Sequence, residues 1–158
     1  MKVLLDTRVW LWWLTGRPEL TAWERSAVDR AAGAQQVFLA AISLWEAQML
    51  HQKKRVRLPL PFAEWLRRAS APGVLRVLPL DAEVIVALDR LPATFHGDPA
   101  DRLIVATARA HRLPLATHDE RIRKSRAVRV WTAGQRSRRE PAALTRRRAS
   151  APRRSSRA

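Results

Sequence analysis

Five short apolar runs, separated by longer helix-patterned stretches, set the limits on how this chain can fold. Residues 2–6 read as a buried strand that ends at Asp6, and residues 37–40, 75–80, 115–117 and 127–131 read as further strands. Between the first two lies a strongly apolar stretch with Trp10, Trp12 and Trp13, broken by Gly16 and Pro18. Thr21 is placed to cap a helix over 22–32 that Gly33 ends. Ser43 and Glu46 form a Ser-x-x-Glu capping-box pattern, so Ser43 is expected to cap the next helix. A short helix over 62–69 follows, Asp81 caps another over 82–90, and Asp98-Pro99 opens one over 99–111 with Pro at its first position. A helical turn is expected after Asp119. Alternating strands and helices predict an α/β fold, with a parallel sheet of about five strands covered on both faces.

Ligands of such sheets bind beyond the carboxyl ends of the strands. Asp6 and Asp119 fall at or just past such ends, Asp101 opens the helix before the fourth strand, and Glu46 lies inside an apolar stretch. Carboxylates resist burial unless they are paired or bind metal. Each alone has an ordinary explanation: a turn residue, a helix cap, a first-turn acid favoured by the helix dipole. Four that converge would suit a hard divalent cation. Asp98 is read first as the cap before Pro99.

The chain carries 30 Lys and Arg against 14 Asp and Glu, a net charge of +16. That balance favours an anionic partner, most often nucleic acid. The absence of Cys excludes disulfides, thiolate nucleophiles and Cys-based zinc sites, and fits a reducing compartment. No apolar run reaches the ~20 residues of a membrane span, so a cytoplasmic protein without membrane contact is expected. Residues 1–131 are expected to form the folded domain. Residues 132–158 hold almost no large apolar side chain, and nine arginines against Glu140 give them half of the total charge. They are expected to be a disordered basic tail that adds sequence-independent phosphate contacts or none.

Four segments then fall in a telling order: Leu4-Leu5-Asp6-Thr7 with Leu11-Trp12-Trp13, Ser43-Leu44-Trp45-Glu46, His96-Gly97-Asp98-Pro99-Ala100-Asp101-Arg102, and Thr117-His118-Asp119. Over about residues 1–131 this resembles PIN-domain ribonucleases, in particular VapC-type toxins of bacterial toxin–antitoxin pairs. The resemblance implies a three-layer α/β/α fold. It also implies Mg²⁺- or Mn²⁺-dependent endoribonuclease activity, in which metal-activated water cleaves RNA phosphodiester bonds. A small cognate antitoxin would bind over the site. Carried over by position, Asp6, Glu46, Asp101 and Asp119 fill the acidic quartet, with Asp6, Asp101 and Asp119 as metal ligands and Glu46 reaching metal through water. Thr7, Asp98 and Thr117 would orient the acids. The sequence departs from the closest family pattern at Arg8, where that pattern has His. Arg8 is suited to RNA phosphate; Arg102 is suited to phosphate or, preferably, to pairing with a neighbouring acid.

The tryptophans Trp10, Trp12, Trp13, Trp23 and Trp45 read as core and interface residues, with Trp13 and Trp45 facing inward and a homodimer or antitoxin contact drawing on the rest. Two other acid-rich α/β folds are disfavoured. A haloacid-dehalogenase-type phosphotransferase needs a second Asp where Arg8 stands. A response-regulator receiver needs an early acidic pair and a late Lys. The alternative from another class is a non-catalytic RNA- or protein-binding module on the same fold, which an incomplete quartet would favour.

Overall fold

The computed structural model describes residues 1–95 and 97–133. The first strand, β1 (Val3–Leu5), is wholly buried and central. It pairs in parallel with β2 (Val37–Ala40) on one side and with β4 (Leu115–Ala116) on the other. The edge strand β3 (Arg76–Leu78) pairs with β2, giving an all-parallel order β3-β2-β1-β4. Continuous apolar runs in β1 and β2 are what burial on both faces demands.

Successive side chains of a strand point to opposite faces, and two separate cores follow. Val3, Leu5, Val37, Leu39 and Ala116 face one side. There they meet α1 (Thr7–Thr15), α2 (Ala22–Gly33), α3 (Ala41–Gln52) and α4 (Phe62–Ala69) through Trp10, Val28, Ala47 and Trp65. Leu4, Phe38, Ala40 and Leu115 face the other. That side meets α6 (Pro99–Ala110) and α7 (Glu120–Ser125) through Ile104, Val105, Ala108 and Ile122, with Leu88 of α5 (Ala82–Asp89) packed behind. The three-layer α/β/α arrangement is thus as expected.

Several ends are set by local chemistry. Thr21 caps α2 in a full capping box with Glu24, Asp81 caps α5, and Asp98 caps α6 with Pro99 at its start. Helix α1 stops at Gly16, whose φ of 69° needs a residue without Cβ. The capping box expected at Ser43 does not form. Helix α3 begins directly from the strand at Ala41, and its cap, Ala40, has no side-chain bond to give. Ser43 lies a turn inside and is fully buried.

The expected fifth strand contracts to one parallel bridge, Leu115 to Val130. The Leu115 amide donates to Arg129 and the Trp131 amide to Leu115, at 2.9 and 2.8 Å. The left-handed Arg126 (φ 54°) ends α7 and turns the chain so that only this point meets the sheet. Trp131 packs into the first core. From residue 134 the expected basic tail lies outside the described residues. Among those described, no helix is long and apolar enough to cross a membrane.

Candidate active site

Asp6 stands where β1 gives way to α1. Its amide donates to the Ala116 carbonyl at 3.0 Å, which ties the ends of β1 and β4 together. Its carboxylate accepts from the Val9 amide at 2.7 Å, so the residue also caps α1. Only 7% of Asp6 is exposed. Burial pushes its carboxyl up to about 6 from an ordinary 3.8, and the charge of Asp101 adds to the rise. Hydrogen bonds from Thr117 and the Val9 amide, and the nearby His118, oppose it without cancelling it. The Thr117 hydroxyl accepts from the Asp119 amide at 3.0 Å and so keeps its proton for Asp6.

Glu46 projects from α3 toward the same end of the sheet. Its carboxylate accepts from the hydroxyl of buried Thr7, which lies 2.9 Å from the Ser43 hydroxyl. A carboxylate only accepts, so the single Thr7 proton goes to Glu46 and the Ser43 hydroxyl donates to Thr7. Ser43 therefore supports Glu46 from beneath rather than capping α3. Burial raises the Glu46 carboxyl, the Thr7 bond lowers it, and the charges of Asp101, Asp98 and Asp6 raise it further. Mutual influence of this kind identifies carboxylates that face one space.

Asp101 lies in the first turn of α6, and its amide donates to Asp98 at 3.0 Å. Asp98 is exposed at the rim, capping the helix that presents Asp101. Asp119 caps α7, accepting from the amides of Arg121 and Ile122 at 2.8 and 3.4 Å. Burial alone would raise its carboxyl, but the Arg121 guanidinium and those two amides outweigh that and hold it below the ordinary range.

Arg121 has no counterpart among the residues singled out in the sequence. It lies 3.2 Å from Asp119 and 3.6 Å from Asp101. Arg102, expected to pair with an acid, donates instead to the Phe95 carbonyl at 3.3 Å. Glu24 and His118 were also missed as a pair. His118 Nε2 lies 2.8 Å from Glu24 and its ring meets Trp12 edge-on at 5.4 Å, anchoring the loop after β4 to α1 and α2. No local pattern announces the contacts of Arg121 with Asp101 or of His118 with Glu24, because those partners lie 20 and 94 residues apart in sequence.

Arg8 is exposed and lines a groove of about 470 Å³ together with Arg17, Lys54, Arg55 and Arg57, over a floor that includes Leu11, Trp12 and Leu50. A cavity of about 570 Å³ lies at the opposite, amino-terminal end of the strands, lined by Lys2, Arg112 and Arg129 and by none of the four acids. Trp13 is buried as expected, but Trp45 is 52% exposed. The apolar residues of α3 are spread around it rather than gathered in one stripe, so its sequence leaves open which face turns inward.

Among the described residues, no three Asp, Glu or His side chains close on a common point. The donor set nonetheless suits a hard cation. Every donor is a carboxylate or hydroxyl oxygen, as Mg²⁺ and Mn²⁺ prefer. Burial is the main reason the Asp6 and Glu46 carboxyls are raised, and a bound cation would favour their ionised forms.

The sequence profile of the PIN domain matches residues 3–127. Ribonuclease VapC22 of Mycobacterium tuberculosis (strain H37Rv) is 36% identical over 132 residues, spanning 82% of this chain and 98% of the relative. Among solved structures, VapBC2 from Rickettsia felis bound to a promoter DNA fragment aligns with a TM-score of 0.64 at 15% identity, covering 83% of this chain and 98% of that one. FitAcB from Neisseria gonorrhoeae aligns with a TM-score of 0.60 at 23% identity, covering 83% and 97%.

Proposed function

This chain belongs to the PIN-domain family, and from that premise we propose that it is a Mg²⁺- or Mn²⁺-dependent endoribonuclease acting as the toxin of a toxin–antitoxin pair. What supports the reading is that Asp6, Glu46 and Asp101 lie near enough to feel one another's charge, and that Arg121 spans from Asp101 to Asp119 beside them. Asp6, Asp101 and Asp119 would hold the metal, with Glu46 beside it reaching it through water. A bound divalent ion would supply the positive charge that lowers the pKa of an attacking water and offsets charge on the phosphate.

The chain's own residues do the rest. Thr117 orients Asp6 by donating to its carboxylate, and Thr7 with Ser43 fixes the direction of Glu46. Asp98 holds the first turn of α6 so that Asp101 points inward. Glu46, the more exposed of the two raised carboxyls, is the group placed to take a proton from water. In the metal-loaded protein, RNA is cut in Mg²⁺ or Mn²⁺, EDTA stops the cutting, and excess metal restores it. Cutting that persists in EDTA would exclude the metal mechanism. RNA that binds with metal present but stays whole would favour the non-catalytic binding module.

Substrate phosphates run along the groove of Arg8, Lys54, Arg55 and Arg57; Arg17 is already paired with Glu19. Neutralising Arg55 and Arg57 to Gln in an inactive background is expected to weaken RNA binding. It should also flatten the dependence of log affinity on log salt by ~0.7 for each single-strand phosphate left without its cation. Filter binding across a salt series checks this, and an unchanged slope would move the RNA path elsewhere.

The partner is a small antitoxin, by analogy with VapBC2 and FitAcB, whose structures pair two proteins. A second copy of the chain has apolar surface to meet in Trp45, Ile85 and Val86.

A further inference from the structure

Arg121 occupies the mouth of the acidic centre. Its guanidinium lies 3.2 Å from one oxygen of Asp119 and 3.6 Å from one of Asp101. It spans from a carboxylate in the first turn of α6 to the carboxylate that caps α7. It is 63% exposed, so it can leave without breaking the core. Its amide, which bonds Asp119 in the helix cap, stays in place whatever the side chain does.

We infer that Arg121 is an internal counter-cation that holds Asp101 and Asp119 in the metal-free protein and competes with the metal for them. The inference rests on the proposal that these acids bind metal. A carboxylate that already faces a guanidinium is less available to a small hard cation, and a fixed positive charge beside the site repels a divalent one. Metal entry is therefore favoured when the guanidinium swings out into solvent. Arg121 is in this sense a positioning residue: it sets how much free metal the centre needs before it fills, and it keeps the two acids in register until then.

Titration calorimetry with Mn²⁺ alone, on the full chain without RNA, tests this in wild type, Arg121→Gln and Asp6→Asn. Arg121→Gln should bind Mn²⁺ roughly tenfold more tightly, the effect of removing one unit charge from within ~6 Å of a divalent ion in a water-like dielectric. The gain should shrink as salt screens that charge. In wild type, the Arg121 side-chain Nε–H resonance, assigned by its loss in Arg121→Gln, should shift as Mn²⁺-free protein is titrated with Mg²⁺. Thermal unfolding of each variant shows whether it is folded, and α7 keeps its cap in all of them. Unchanged or weaker Mn²⁺ binding by folded Arg121→Gln overturns the inference while leaving the metal site standing. Wild type that binds no Mn²⁺, or an Asp6→Asn that binds as wild type does, overturns both.

Discussion

Replacing Asp6 by Asn is expected to abolish RNA cleavage and at the same time to stabilise the metal-free protein. The two effects have one cause. Asp6 sits 7% exposed at the centre of the sheet's carboxyl edge, with its carboxyl raised to about 6. A carboxyl that holds its proton more tightly folded than unfolded contributes stability that is complete below pH 3.8 and is lost as pH rises through about 6. At pH 8 the ionised side chain then costs the folded state roughly 3 kcal/mol. Asn has no charge to bury, keeps an oxygen for the Val9 amide, and is itself a good helix cap. Urea unfolding in EDTA should find Asp6→Asn more stable than wild type at pH 8 and no more stable at pH 4. The difference between the two proteins reports Asp6 together with its charge's effect on Glu46. In wild type alone Glu46 shifts in the same sense while Glu19, Glu24 and Asp119 shift in the opposite one. Adding Mg²⁺ should stabilise wild type and leave Asp6→Asn unmoved. Cleavage should fall by more than the ~100-fold typical of losing a group that merely orients a metal ligand. An Asn variant that is destabilised at pH 8, or that still cuts RNA, would contradict this account of the centre.

Trp10→Ala is expected to be the most damaging single truncation for the fold. Trp10 is wholly buried in the first core, its ring tilted against Trp65 at 5.2 Å and its indole N–H directed at the Ala69 carbonyl at 3.4 Å. Truncation to Ala removes that packing, leaves a cavity and strands a carbonyl, for a cost of roughly 3–5 kcal/mol. Against a typical total of about 5–15 kcal/mol, this leaves the protein marginal. The site would fail with it. The Trp10 amide donates to the Asp6 carbonyl at 3.0 Å, and α1 is the element that carries both Asp6 and Thr7 into position. Equilibrium unfolding in urea measures the loss, and Trp10→Phe should recover part of it. A cost under about 1.5 kcal/mol, the range of a volume-conserving swap, would mean that α1 is anchored by something other than this ring.

What was legible in the sequence was whatever local chemistry writes. The apolar runs of β1 and β2 announced a doubly covered sheet, and Thr21, Asp81 and Asp98 announced helix starts, because a cap and its amide are three residues apart. Asp6, Asp101 and Asp119 drew attention through their places at strand and helix ends, while Glu46, inside α3, was grouped with them only through the family resemblance. Ser43 was misread because Ser-x-x-Glu looks the same whether the hydroxyl turns back to its own helix or, as here, toward Thr7 on another. Trp45 was misread because a helix whose apolar residues are spread over several faces does not say which face meets the core. Arg121 was invisible among 30 basic residues, since nothing in the sequence separates a cation that also reaches the distant Asp101 from one aimed at solvent. The fifth strand shrank to a bridge because the turn at Arg126 brings only Val130 to the sheet edge.

The pairing of β1 with β4 has a consequence for how such a protein is made. It joins residues 4 and 5 to residues 115 and 116, so the centre unites the first acid of the chain with one near the end of the folded body. At ~5–20 residues per second of synthesis, Asp6 emerges from the ribosome several seconds before Asp119. Until the later segment arrives, Asp6 lacks the Thr117 hydroxyl and the β4 carbonyl that fix it. A half-made chain therefore carries half a centre. On the proposed reading, a chain that has not yet reached β4 and Asp119 has no complete centre with which to cut RNA.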